Sequence, residues 1–216
     1  MRVVGAMLVC CVVPALAAAQ PATQPLPKND VSISVGWAGS DFELSRYDAW
    51  RGSVLVSASA GHYWTDHAKT ELDVGWADPG RDEIYENIDY PGGGSTFAVA
   101  DHTARDLRFG AVQIYQFGRN AWVHPFVGIG VDVIHRSATI ERGRQSRSIF
   151  LPPNRTIPVD IPPLTEHRSG VFAQGILKTG LKLYATERTF FNTELKLGIR
   201  REVDHVVWKV GLGFDF

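Results

Sequence analysis

The 216-residue sequence has almost no cysteine, and its two cysteines, Cys10 and Cys11, lie in an apolar stretch near the N-terminus. The remainder of the chain cannot be held by disulfides or use thiolate chemistry, which suits a protein exported through an oxidising compartment. An excess of positive charge is also missing, because 22 lysines and arginines stand against 23 aspartates and glutamates. That balance gives no electrostatic basis for binding nucleic acid, and we expect no such partner.

Cofactor and metal motifs are lacking as well. The sequence contains no glycine-rich phosphate loop and no dinucleotide-binding fingerprint. Several histidines are scattered along the chain without a shared metal-ligand spacing; they are His62, His67, His102, His124, His167 and His205. We therefore expect neither a metal nor a cofactor.

A long apolar run occurs only at the N-terminus. Residues 1–19 begin with the charged Arg2, continue with an apolar run and end in small residues, which is the pattern of a cleaved secretory signal peptide. We expect residues 20–29 to form a short periplasmic lead-in and residues 30–216 to form the folded domain. No later stretch approaches the roughly 18 consecutive apolar residues of a membrane-spanning helix.

The chain instead carries segments in which apolar and polar residues alternate. In the C-terminal segment VVWKVGLGFDF, for example, Trp208, Val210 and Leu212 alternate with Lys209 and Gly211. A period of two is typical of β-strands with one apolar face. Eight segments have this period, over residues 30–37, 53–64, 70–76, 105–117, 122–135, 170–184, 191–201 and 206–216.

The connections between these segments alternate in length. Short links such as TDHAK, GRNA and ATERT take turns with long ones over residues 38–52, 77–104 and 136–168. An even strand number with tight turns at one end and long loops at the other is typical of outer-membrane barrels. The sequence therefore predicts an all-β fold, an eight-stranded antiparallel up-and-down transmembrane β-barrel in the bacterial outer membrane.

Charged residues occupy the polar faces of these segments in balanced numbers. Because a closed sheet in lipid turns its apolar face outward, we expect these charges to fill the lumen and to pair there. The predicted lumen charge network consists of Glu71, Asp73, Asp132, Lys178, Lys182, Glu194, Lys196, Arg200, Lys209 and Asp215. A lumen filled in this way argues against a general porin, since eight strands leave room for little more than side chains.

Aromatic residues gather at the ends of the segments rather than in their middles. Outer-membrane barrels place such residues in girdles at the two membrane interfaces. The predicted girdle consists of Trp37, Trp64, Trp76, Trp122, Tyr184, Phe191, Trp208 and Phe216.

The last segment ends in a phenylalanine preceded by apolar residues at every second position, and it resembles the C-terminal assembly signal of outer-membrane proteins. The resemblance is carried by Trp208, Val210, Leu212, Phe214 and Phe216. With the eight segments, residues 30–216 are similar to the OmpA/OmpX-like outer membrane protein beta-barrel domain superfamily. The resemblance implies that the β-barrel assembly machinery binds the last strand during insertion.

The leading functional hypothesis is a non-enzymatic barrel that presents long surface loops for structural or surface-interaction roles. We expect a monomer in contact with outer-membrane lipid and lipopolysaccharide. The link 77–104 is mainly acidic, whereas the link 136–168 is rich in arginine. Either the two links pair above the barrel mouth, or the arginines bind phosphate groups, because a guanidinium matches phosphate oxygens.

An enzymatic alternative rests on His135 and Ser137, which resemble the His-x-Ser pair of lipid A 3-O-deacylases. Two residues apart on a strand, these side chains face the same side, where an acyl ester would lie. Glu141 is the nearest acid that could orient the histidine. The sequence departs from that family in two ways: Glu141 is closer to the pair than the family places its acid, and Ala138 replaces its asparagine.

Overall fold

Ten β-strands make up the part of the chain that the structure, a computed structural model, describes: residues 27–40, 51–90, 94–117, 122–151, 155–201 and 203–216. The strands are β1 (Asn29–Ser40), β2 (Arg51–Tyr63), β3 (Ala68–Tyr90), β4 (Gly94–Gln116), β5 (Val123–Arg142), β6 (Gln145–Leu151), β7 (Arg155–Ile161), β8 (Leu164–Tyr184), β9 (Thr189–Ile199) and β10 (Val203–Asp215). The predicted signal peptide, residues 1–19, and residues 20–26 of the predicted lead-in lie outside the described residues.

Eight of these strands close into one barrel, in the order β1-β10-β9-β8-β5-β4-β3-β2. All neighbouring pairs in the ring are antiparallel. At the seam, Val35 lies opposite Val210, and the backbones of Asn29 and Phe216 exchange hydrogen bonds of 3.0 and 2.9 Å. The predicted eight-stranded antiparallel barrel is therefore confirmed.

The two faces of the barrel wall differ as the period of two requires. On β1, Val31 and Ile33 are exposed on the outer face, Ile33 to 70%, whereas Asp30 and Ser32 are buried inside. The same alternation continues along the other strands of the ring. The barrel is apolar outside and polar inside. In the described ranges, no helix has the length and apolar character to cross a membrane.

The strands are longer than the alternating segments. β3, β4, β5 and β8 run far into the links 77–104 and 136–168, which sequence reasoning treated as loops. The register between β3 and β4 shifts between Ala77 and Gly80, so the outward phase of β3 changes from even to odd positions. This bulge hides the period in the sequence, and the segment DPG at 78–80 has the composition of a turn.

The link 136–168 also contains a hairpin of its own. β6 and β7 pair with each other and take no part in the ring. Pro158 lies in this two-stranded sheet, where its missing N–H is tolerated. We call residues 145–161 the hairpin.

The two ends of the barrel differ. Strands β3, β4, β5 and β8 continue beyond one end, which we call the extension end. The opposite end has the turns at 64–67 and 185–188, and we call it the turn end.

The seam gives a direct test of the closed ring. A Cβ added to Gly36 on β1 would stand 2.1 Å from the backbone oxygen of Trp208 on β10. We expect Gly36→Ala to push the seam strands apart and to lower the free energy of unfolding by about 1–3 kcal/mol. The matched control is Gly143→Ala, because a Cβ there meets no atom within 4 Å. Urea unfolding in lipid vesicles measures both, and equal stability of the two variants would contradict the close seam.

Candidate functional site

Fourteen charged side chains are buried inside the described barrel, and their signs balance at seven acids and seven bases. The acids are Asp30, Glu71, Asp73, Asp106, Asp132, Glu194 and Asp215, and the bases are Lys69, Arg108, Arg136, Lys178, Lys182, Lys196 and Lys209. A buried charge without a partner costs several kcal/mol. The equal numbers let these charges neutralise one another.

Asp30 is the centre of the cluster nearest the turn end. Its Oδ2 lies 2.6 Å from Lys69 Nζ and 2.5 Å from Lys182 Nζ, and it accepts a hydrogen bond of 3.1 Å from the Tyr63 hydroxyl. Lys182 Nζ also lies 3.8 Å from the centre of the Phe190 ring. One carboxylate thus binds two lysines and a tyrosine in the interior at this end.

Lys178 connects the acids in the middle of the barrel. Its ammonium contacts Glu71 and lies 2.8 Å from Glu194 Oε2. Each of these acids has a second lysine: Lys69 Nζ is 2.7 Å from Glu71, and Lys209 Nζ is 3.0 Å from Glu194. Every charge in this cluster therefore has at least one partner of opposite sign.

Lys196 forms the next cluster toward the extension end. Its Nζ lies 2.8 Å from Asp73 Oδ2 and 3.2 Å from Asp132 Oδ1. Lys209 Nζ, at 3.5 Å from Asp73, links this cluster to the cluster around Lys178. The ion pairs are thus continuous from one cluster to the next.

Asp106 carries the cluster at the extension end. Arg136 donates to both its carboxylate oxygens, with distances of 2.8 and 2.9 Å, and Arg108 donates to Oδ2 at 3.1 Å. A two-pronged guanidinium–carboxylate pair of this kind is the strong, oriented form of the ion pair. Arg136 Nη2 also lies 3.2 Å from His205 Nε2, and its guanidinium lies 5.5 Å from the Phe172 ring centre.

Small voids lie between these clusters. Two voids measure about 10 Å³ each; Asp30, Lys182 and Phe126 are among the residues that line one, and Arg108, Lys196 and Leu55 among those that line the other. A volume of this size holds about one water molecule. Among the described residues, no group of three or more His, Asp and Glu is placed to hold a metal ion.

The structure places most of the predicted lumen charge network inside the barrel. Buried within it are Glu71, Asp73, Asp132, Lys178, Lys182, Glu194, Lys196, Lys209 and Asp215. Arg200 is an exception, because β9 ends at Ile199 and the chain bends there. Its guanidinium lies 3.5 Å from Asp204 and its side chain is 32% exposed, so it stands at the mouth rather than in the lumen.

Sequence reasoning missed five buried charges: Asp30, Lys69, Asp106, Arg108 and Arg136. Asp30 and Lys69 each lie two positions before an inward residue, Ser32 and Glu71 respectively. The period of two alone could therefore have placed both side chains in the lumen. Arg108 lies in the segment 105–117, whose sequence gives no single clear phase, because Val112 and Ile114 are apolar but point inward. Arg136 was assigned to a loop, since the alternating segment ends at residue 135.

Most of the predicted aromatic girdle lies on the outer face near the two ends of the apolar band. Trp37, Trp76 and Trp208 lie toward the extension end, and Trp64, Trp122, Phe191 and Phe216 toward the turn end; all are 46–67% exposed. Tyr184 was assigned wrongly. It has the inward phase of Lys182, and its hydroxyl donates to Asp215 Oδ2 at 2.5 Å, so it belongs to the lumen. The assignment relied on residue type at a strand end and ignored the phase.

The four long strands continue as a sheet past the extension end. Ile84, Ala100 and Ile140 pack together on its inner face. On its outer face, Tyr85 and Phe97 are 58% and 45% exposed, with ring centres 5.9 Å apart. In the described parts of the links 77–104 and 136–168, this extension is a folded sheet with an inner and an outer face.

The hairpin is attached to the edge of β4 beyond the last β5 pairing. Gln145 donates through Nε2 to the Val99 carbonyl at 2.5 Å and accepts from the Val99 N–H at 3.1 Å. Arg147 lies over the Phe97 ring, with its Cζ 4.8 Å from the ring centre. The side chain of Gln145 thus makes the two backbone hydrogen bonds that a neighbouring strand would make with Val99.

An ion pair joins the acidic and basic links. Arg142 Nη1 lies 2.6 Å from Glu86 Oε2. Two other pairs lie within the basic link: Arg144 with Asp160 at 3.8 Å, and Arg168 with Glu166 at 2.7 Å, where the hydrogen bond and charge of Glu166 raise the pKa of the Arg168 guanidinium.

The three residues of the enzymatic alternative lie on one strand and are spread too far along it. His135, Ser137 and Glu141 all have the outward phase of β5. At a rise of about 3.3 Å per residue, Glu141 lies about 20 Å from His135 along the strand. An acid at that distance cannot orient the histidine of a catalytic triad.

Removal of one central cation tests the ion-pair network. Lys178→Met leaves seven acids and six bases inside the described barrel. We expect a loss of about 3 kcal/mol in the free energy of unfolding, because carboxylates remain buried without full compensation. Arg144→Met is the control, since this exposed pair is worth at most about 1 kcal/mol.

Adding Glu194→Gln to Lys178→Met restores equal numbers of buried acids and bases. We therefore expect the double variant to be more stable than Lys178→Met alone in urea unfolding. Additive losses would contradict the coupling of these charges.

Comparison with known proteins supports the architecture. No curated protein sequence matches the chain. The family model described as "Outer membrane protein beta-barrel domain" matches residues 8–216. Neisserial surface protein A superposes with a TM-score of 0.54 at 14% identity, covering 89% of this chain and 100% of that one. The attachment invasion locus protein of Yersinia pestis superposes with a TM-score of 0.51 at 13% identity, covering 88% and 99%.

The family match spans nearly the whole chain, and the solved structures share its closed barrel. A sheet that is apolar outside and ionic inside needs lipid around it. The chain belongs to the outer membrane protein beta-barrel domain family, and it is a bacterial outer-membrane β-barrel protein.

Proposed function

We propose that this protein is a non-conducting, non-enzymatic barrel that anchors a folded extension at the cell surface, where the extension makes structural or binding contacts. The observation that carries the proposal is the interior of the described barrel. Fourteen paired charged side chains occupy it, and two voids between them measure about 10 Å³ each. A sugar molecule is many times larger than such a void.

The shape of the extension supports the proposal that it makes structural or binding contacts. Four strands continue past the barrel, although closing the ring does not need their added length. Exposed Tyr85 and Phe97 lie side by side on this sheet, and aromatic residues are enriched where proteins bind partners. The geometry of His135, Ser137 and Glu141 gives no support to the lipid A hydrolase, which is why we favour a non-enzymatic role.

Two further expectations fit this proposal. The assembly machinery would bind the final strand through its outward row, because Trp208, Val210, Leu212, Phe214 and Phe216 are 42–54% exposed on one face. A monomer is expected since a closed ring leaves no barrel edge that a second copy must cover.

Solute flux tests the proposal. We expect vesicles that contain the protein to show no arabinose uptake in a swelling assay, because the clusters from Asp30 to Asp106 block the lumen. A variant with residues 145–161 replaced by a short Gly-Ser linker should also fold and remain closed, because the ring does not include β6 or β7.

A general porin in the same vesicles provides the positive control. Flux through the natural protein would identify a channel and overturn the proposal. Flux only through the shortened variant would place the seal in the hairpin rather than in the barrel, and would equally contradict it.

A further inference from the structure

A polar patch begins where the outward apolar band of three neighbouring strands ends. On β5, the outward positions from 123 to 133 are all apolar, and the next are His135 and Ser137. On β4, the outward position beyond Leu107 is Arg105, and on β8 the position beyond Val171 is Ser169. The change falls at nearly the same height on the three strands; it comes one outward position earlier on β5, where His135 lies opposite Leu107 and Val171.

That height can be placed relative to the membrane. Strands in such barrels tilt by about 35–45°, so a rise of about 3.3 Å per residue gives about 2.5 Å along the membrane normal. Residues 123–133 therefore span about 25 Å, which is the height of the apolar band in this class of barrel. The patch lies immediately outside this band, at the level of the lipid headgroups.

The strand register brings the polar side chains together. Arg105 lies opposite Ser137, and Ser137 lies opposite Ser169, so the three form one row across β4, β5 and β8. Directly opposite residues have Cβ atoms about 4.5–5.5 Å apart. In the next row outward, Thr139 lies opposite His167, with Thr139 Oγ1 3.0 Å from His167 Nδ1. We call Arg105, His135, Ser137, Thr139, His167 and Ser169 the headgroup patch.

Arg105, the arginine of the headgroup patch, differs from the arginines around it in its ion pairing. Arg142 is paired with Glu86, and Arg136 with Asp106. In the described part of the chain, exposed Arg105 has no hydrogen bond or ion pair. The outward acids on β4 and β5, Asp101 and Glu141, lie four residues beyond the row of Arg105, about 13 Å along the strands. On the neighbouring strand β3, the outward Asp78 follows the partner of Asp106 and has an interaction of its own.

We propose that the headgroup patch binds a phosphate group of lipid A. Arg105 donates to the phosphate oxygens, since a guanidinium matches them in geometry and charge. The hydroxyls of Ser137 and Ser169 and the imidazole of His135 supply further donors. Lipid A is the occupant because the patch faces outward from the barrel wall at headgroup level, and its apolar neighbours Leu107, Val133 and Val171 contact the acyl chains of the same lipid.

This inference goes beyond the proposed function and does not depend on whether the lumen conducts. It gives three adjacent strands a defined lipid neighbour on their outer face. It also assigns His135 and Ser137, the pair of the enzymatic alternative, a role in binding the headgroup rather than in cleaving an ester.

Native mass spectrometry of the full barrel in detergent, titrated with bis-phosphorylated lipid A, tests the inference. We expect Arg105→Gln to weaken binding about three- to tenfold, and Arg105→Lys to weaken it less, because lysine keeps the charge without the fork. Arg155→Gln is the matched control, since Arg155 is an exposed arginine on β7, outside the barrel wall, and it should bind as the natural protein does. Circular dichroism verifies that each variant is folded.

Three probes distinguish the ligand. The natural protein should bind dephosphorylated lipid A more weakly than the bis-phosphorylated form, and inorganic phosphate alone should not bind at millimolar concentration. Equal affinity for both lipids, or unchanged affinity in Arg105→Gln, would overturn the inference. Binding of inorganic phosphate that is lost in Arg105→Gln would also overturn it, because the site would then serve a soluble anion.

Discussion

Closure of the sheet is the constraint from which the rest of this structure follows. When β1 pairs with β10, every strand of the ring has two neighbours, and the backbone is satisfied without water. Closure also turns a simple alternation of residues into an inside and an outside. The close approach at Gly36 and the exchange of hydrogen bonds between Asn29 and Phe216 fix this seam.

Closure buries polar side chains in the lumen, and charge pairing there offsets the cost of that burial. Eight strands leave a narrow interior, and polar side chains that point into it lose most of their water. Seven acids and seven bases offset each other there, and lysines such as Lys178 and Lys196 each bridge two carboxylates. The same pairing fills the lumen, so the stability of the barrel and its proposed lack of a pore have one physical origin.

The sequence allowed the ring to be predicted but not the extension. A period of two reports which face a residue occupies, and it located residues such as Lys196 and Leu195 on opposite faces of β9. It failed where a bulge shifts the phase of β3 after Ala77, and where Tyr184 and Arg200 lie at strand ends. Contacts such as Arg142 with Glu86 depend on register between distant strands, which a single sequence does not contain.

Spin labels along the outward face of β5 test the central claim most directly. Single cysteines at residues 127, 129, 131, 133, 135 and 137, in protein reconstituted in lipid bilayers, report contact with oxygen in lipid and with a nickel complex in water. The account predicts dominant oxygen accessibility from 127 to 133 and a change to nickel accessibility from His135 onward. Dominant nickel accessibility at Ile129 and Val131 would contradict a sheet closed with its apolar face in lipid.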